Sequence, residues 1–186
     1  MYETILKENE MDRRVFLRRT IGGAIAAGST LTLEKYMALL GGTNKLRPLP
    51  YDLVAVKGAE PDVMFDKAIE TFGGIERFVA KGSRVLVKPN IGWDVVPENA
   101  GNTNPALVKR IIEHCFHAGA KEVFVFDHTC DNWKQTYESS GIASAVKAAG
   151  GKIVSGDVEG YYQQVNIPQG KTLVDAKVHE LLLSAD

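Results

Sequence analysis

The feature that most restricts the fold is a set of short apolar runs that do not alternate with polar residues. Leu53-Val54-Ala55-Val56, Arg84-Val85-Leu86-Val87-Lys88, Val123-Phe124-Val125-Phe126 and Lys152-Ile153-Val154 each keep apolar residues at successive positions. A strand with one wet face shows a period of two, so continuous runs of this length indicate strands buried on both faces. Between them the period becomes helical. Asp62 to Phe72 sets Val63, Phe65, Ala68, Ile69 and Phe72 on one face and is closed by Gly73-Gly74, and Ile75 to Val79 adds a further turn. Asn104-Pro105 has the form of an N-cap followed by a first-turn proline. The helix beyond it runs to about Ala118, with Val108, Ile111, Ile112 and Cys115 at helical spacing. Gly141 to Ala149 is a third helix, ended by Gly150-Gly151. Buried strands separated by helices predict an α/β fold: a Rossmann-like, mostly parallel sheet with helices on both faces.

The pattern differs from Tyr161 onward. Gln163 to Ile167 and Leu173 to Leu183 flank a Pro168-Gln169-Gly170-Lys171 turn, which predicts a hairpin-like excursion. Ser184-Ala185-Asp186 brings no turn or cap, so the sheet is expected to be incomplete at the C-terminus and the chain to be an N-terminal fragment. The organisation read this way is a signal segment over residues 1–35, a linker over 36–50 and an α/β domain over 51–186.

Arg13-Arg14-Val15-Phe16-Leu17-Arg18, followed by an uncharged stretch from Thr20 to Leu33, resembles a twin-arginine export signal. That route carries folded proteins and serves many that load a cofactor before leaving the cytoplasm. The alternative is a basic amphipathic N-terminal helix. The uncharged stretch falls short of the roughly 20 apolar residues that a membrane span requires. The resemblance implies the translocation machinery as a partner and membrane contact only through the signal. It also implies a periplasmic location, released or tethered to the outer face of the inner membrane. Ala24-Ile25-Ala26 has the small-x-small form of a cleavage site, but cutting there would leave almost no apolar region, so retention stays open.

Composition narrows the partners. A net charge of −1 argues against nucleic acid as a partner, since phosphate binding usually needs a basic face. The two cysteines, Cys115 and Cys130, form no Cys-x-x-Cys pair and no disulfide framework. They cannot by themselves supply four thiolates to an iron–sulfur cluster.

Ligands of open parallel sheets bind beyond the carboxyl ends of the strands. Two polar groups of residues fall there. One is Lys88-Pro89-Asn90 with the long loop that ends Asn102-Thr103-Asn104-Pro105; the other is Asp127-His128-Thr129-Cys130-Asp131. If the two strands are neighbours, both groups share one rim. Lys88 supplies a point charge, Asn90 and Thr103 polar contacts, and the helix after Asn104 unpaired N–H groups suited to a phosphate or carboxylate. The competing use is structural: a strand end, a turn and an N-cap. The loop lacks the Gly-x-Gly-x-x-Gly and Gly-Lys-Ser/Thr nucleotide patterns. Asp127 and His128 are candidates for general acid or base work, and the Asp127 to Asp131 stretch offers divalent-metal donors or merely turn formers. No metal is identified. His114 and His117, one turn apart, suit a metal or the helix dipole, and Cys115 falls on the apolar stripe. Tyr161, Tyr162 and Trp133 read as packing residues. Trp93, in the long loop, is an aromatic placed to cover a ligand.

Val85-Leu86-Val87-Lys88-Pro89-Asn90, Thr103-Asn104-Pro105, Gly119-Ala120-Lys121-Glu122-Val123 and Asp127 together resemble the N-terminal part of domain-of-unknown-function family 362. The likeness covers roughly residues 50–186. Members are often labelled uncharacterised iron–sulfur proteins, and some carry twin-arginine leaders. The family usually continues into a Pro-Lys-x-Lys-x-His-like stretch, and some members append a ferredoxin module; this sequence has neither. The resemblance therefore implies an iron–sulfur cluster only through residues outside this chain, and it carries over Lys88, Asn90, Thr103 and Asp127 without assigning their roles. Three functions compete: an exported, cofactor- or metal-dependent, redox-linked enzyme; a non-catalytic periplasmic module for a small anionic ligand; and an export-linked accessory protein.

Overall fold

A computed structural model describes residues 51–186; the twin-arginine motif and the linker lie outside the described residues. The first element is helix α1, Pro61–Thr71, begun by a first-turn proline. A 3-10 turn over Ile75–Arg77 buries Ile75 and leads to strand β1, Arg84–Val87. The long loop after β1 contains one 3-10 turn, Pro97–Asn99. Helix α2, Pro105–His117, is capped by Asn104, whose side chain accepts from the Ala106 and Leu107 N–H groups. Strand β2, Glu122–Val125, leads to two short helices, α3 (Trp133–Ser139) and α4 (Ile142–Ala148). Strand β3 is Lys152–Ile153.

These strands form one parallel sheet in the order β1-β2-β3, with Arg84 level with Glu122, Val87 with Val125, and Phe124 with Lys152. Helices flank it, as expected of an α/β fold. Helix α2 packs against α1, α4 and β2. Its Val108, Ile112 and Cys115 meet Val123 and Val125 of β2 and Ile142 and Val146 of α4 in one apolar core. Phe124 takes the opposite face, where the Arg84 guanidinium and the Lys152 ammonium lie 5.1 and 5.5 Å from its ring centre. That alternation follows from the strand period of two.

The predicted hairpin is present as strands β4 (Tyr162–Asn166) and β5 (Asp175–His179), paired antiparallel in a separate two-stranded sheet. The last apolar residues leave it: Glu180–Ser184 is a short helix, α5, capped by His179 and packed against β1. Asp186 is tied to β1, accepting from the Arg84 N–H at 2.8 Å and donating its own N–H to the Arg84 carbonyl at 3.1 Å. Among the described residues no helix is long and apolar enough to cross a membrane.

Three sequence expectations change. Leu53 to Val56 is irregular rather than a strand, and Leu53 is 78% exposed. An apolar run becomes a strand only when a neighbour takes its backbone bonds, and no strand of the sheet pairs with this one. Val63 is exposed instead of sharing the inner face of α1 with Phe65 and Ile69. Helix α3 is an element that apolar periodicity missed, because only Thr136 and Tyr137 of its seven residues are buried.

Candidate functional site

β1 and β2 are neighbours, so the loops after them share a rim. The Lys88 ammonium donates to Asp127 Oδ1. Asp127 Oδ2 accepts from the Ile91 N–H at 2.8 Å, so both carboxylate oxygens are engaged. Asp127 is only 5% exposed, and a carboxylate so buried needs such partners to offset its lost hydration. Its main chain is held as firmly. The Tyr137 hydroxyl accepts from the Asp127 N–H at 2.7 Å and lies 3.1 Å from the Asp127 carbonyl, to which it donates. Burial pushes the Tyr137 phenol up to about 12, reinforced by the nearby Asp127 and Asp157 carboxylates and only partly offset by the bond to the Asp127 backbone. It therefore stays protonated and keeps its donor.

The segment after β3 reaches the same rim. A Cβ on Gly156 would sit 2.2 Å from the Asp127 carbonyl oxygen, so only glycine admits this approach of two backbones. Thr129 Oγ1 bonds the Asp131 carbonyl at 2.7 Å and lies 3.2 Å from Asp157 Oδ2. The Tyr162 hydroxyl donates to the Gly156 carbonyl at 2.7 Å; burial raises its pKa, with Asp157, Asp127 and Glu159 adding to the effect. This side of the rim is thus acidic.

The long loop is latched rather than loose. The Asn90 N–H donates to Thr103 Oγ1 and the Thr103 N–H returns to the Asn90 carbonyl, both at 2.9 Å. Asn90 Nδ2 donates to the Gly101 carbonyl at 3.0 Å, which leaves its Oδ1, beside Gly92, unbonded among the described residues. Asn102 clamps Trp93 with one amide: its Oδ1 accepts from the Trp93 N–H at 3.0 Å and its Nδ2 donates to the Trp93 carbonyl at 2.8 Å. The Asp94 N–H reaches Asp131 Oδ2 at 2.9 Å, and Ser139 Oγ donates to Asp94 Oδ1 at 2.5 Å. The Cys130 N–H donates to the Gly92 carbonyl at 2.9 Å. A loop of this length normally has either such bonding or a function to justify it.

The sequence-derived candidates thus separate by what their atoms already do. Lys88 and Asp127 meet. Asn90 and Thr103 close the loop on each other. The Asn104 carboxamide oxygen is engaged by the α2 N–H groups. His128 is exposed, with its ring 6.4 Å from that of Tyr162. Tyr137, Gly156 and Asp157 were not anticipated. The rule that placed the first two groups on the rim applies equally to the end of β3 and would have found the last two.

The remaining metal candidates are used elsewhere. His114 Nε2 lies 2.7 Å from Asp66 Oδ1, while Arg110 grips both Asp66 oxygens, at 2.7 and 2.6 Å, joining α1 to α2. Cys115 is buried, which pushes its thiol up to about 11, and Cys130 is exposed on the rim. Among the described residues no three His, Cys, Asp or Glu side chains converge as a metal would need. These residues do not fit an iron–sulfur cluster.

Residues 85–186 match the family model described as domain of unknown function (DUF362), a match that starts in β1 and takes in the whole rim. No curated protein and no solved structure matches.

Proposed function

Since the chain belongs to the DUF362 family, itself a domain of unknown function, we propose that it is an exported protein whose strand-end rim binds a small molecule through an anionic group. The observation that carries this reading is the state of Lys88. Its ammonium is anchored by Asp127, yet its side chain remains 53% exposed. An ammonium has three donors and Asp127 takes one, so two remain for a ligand. Asn90 Oδ1 stands two residues away on the same extended segment and can orient a polar group of that ligand. Asp127 acts here as a positioning residue: it fixes Lys88 and, through Ile91, the start of the loop.

Calorimetric titration of the full chain with phosphate and with small carboxylates tests this. Saturable binding is expected, weakened at least tenfold in Lys88→Met. Because that change strips the buried Asp127 of its cation, the double variant Lys88→Met with Asp127→Asn is titrated beside it, and circular dichroism checks that both are folded. Absence of saturable binding to any of these anions, or unchanged affinity in Lys88→Met, would remove the reading.

The enzymatic reading has one specific support, the exposed His128 on the same rim, since an imidazole is the commonest general acid or base. Turnover of a bound ligand that is lost in His128→Gln but with affinity unchanged would favour it. No step through a metal or cluster is assigned. The export half rests on Arg13-Arg14 and the uncharged stretch after it. Fused to a reporter active only outside the cytoplasm, residues 1–50 should direct export, and replacing both arginines by lysine should abolish it.

A further inference from the structure

We infer that the ligand of this rim is planar and aromatic, with its ring stacked on Trp93 and its anionic group on Lys88; this rests on the anion-binding reading above. Trp93 is 50% exposed. A single exposed aromatic is ordinary on a protein surface. What sets this one apart is the polar bonding spent on holding it still. Both main-chain groups of Trp93 are clamped by the Asn102 amide, and the following residue, Asp94, is fixed to Asp131 and to Ser139 of α3. The base of the loop is closed by the paired Asn90 and Thr103.

The same bonds carry the ring to the charge. A Cβ on Gly101 would lie 3.7 Å from Trp93 Cδ1, so the indole stands beside Gly101. The Gly101 carbonyl in turn accepts from Asn90 Nδ2 at 3.0 Å. Asn90 follows Lys88 by two positions, and both are exposed while the intervening Pro89 is buried. Indole, amide and ammonium therefore succeed one another along one latched loop. With its main chain already fixed, Trp93 has only its two side-chain torsions left to order when a ring settles on the indole, a small entropic cost. Gly101 is required at this point, because a Cβ there would meet Val95 Cγ2 at 2.8 Å.

The experiment compares two carboxylates of the same size and charge, 2-naphthoate and its saturated decahydro counterpart, by calorimetry and tryptophan fluorescence on the full chain. The planar acid should bind about three- to tenfold tighter, the range that stacking of this kind provides. It should quench fluorescence in the wild type and not in Trp93→Phe. Trp93→Ala should erase the preference while still binding the saturated acid, and Trp93→Phe should keep most of it. Equal affinities for the two acids in the wild type, both lost in Lys88→Met, would overturn the aromatic assignment and leave the anion site standing. If neither acid binds, both readings fall together.

Discussion

Tyr137 shows how one side chain fixes the rim. Its hydroxyl bonds both the N–H and the C=O of Asp127, while its ring packs edge-on against Trp133, 5.8 Å away. The carboxylate that holds Lys88 therefore stands on a backbone pinned from below. Tyr137→Phe keeps the ring and removes the hydroxyl, leaving the buried Asp127 N–H without its partner. Such an orphaned group costs about 1–3 kcal/mol, which urea denaturation should read as a lower midpoint at unchanged slope. A midpoint equal to the wild type would show that the Asp127 backbone is held by other means. Lys88 and Asp127 could be placed at strand ends from sequence because both end apolar runs. The role of Tyr137 could not, since a tyrosine in a mostly polar stretch carries no sign of which backbone it meets.

Helices α1 and α2 are joined by charge as well as by apolar contact. The Arg110 guanidinium bonded to Asp66 is the main cause that lowers the Asp66 carboxyl from 3.8 to about 2, with His114 assisting and burial opposing. A folded pKa below the unfolded one contributes stability that is present above about pH 4 and is lost as pH falls toward 2. Asp66 is one-third exposed, so after solvent screening the contribution is about 1 kcal/mol. Melting curves between pH 5 and 2 should fall less steeply in Arg110→Met than in the wild type, and equal slopes would assign the acid loss to other carboxylates. The helical period located α2 and its cap. It left the charged face open, which is why His114 was read by its place at the helix end until Asp66 was found opposite it.

The hairpin is held to the parallel sheet through His179. This residue is 1% exposed, stacks on Phe126 at 4.2 Å and meets the rings of Tyr161 and Tyr162 edge-on. Its Nδ1 accepts the Leu181 N–H at 3.2 Å, so the other ring nitrogen carries the proton and faces the Ser155 carbonyl at 3.4 Å. One side chain thus links β2, the segment after β3, β5 and α5. His179→Ala should cost about 3 kcal/mol, in the range for emptying a buried ring site. Hydrogen exchange should quicken in β4 and β5 before it does in β1 and β2. Uniform acceleration across all five strands would instead make the hairpin part of one cooperative unit with the sheet.

Sequence alone determined the fold class, the placement of Lys88 and Asp127 at strand ends, the Asn104 cap and the hairpin, because each follows from periodicity or from chemistry local to a few residues. That the two strands are neighbours came from the fold. The family likeness was legible in the same stretches. Only the tertiary structure decided which apolar runs become strands, which polar atoms of the rim are already bonded, and how the long loop is latched. Those outcomes depend on partners 10 to 40 residues away, such as Thr103 for Asn90 (|i−j| of 13) and Asp127 for Lys88 (39). A backbone or charged group chooses such a partner by geometry that no local pattern encodes.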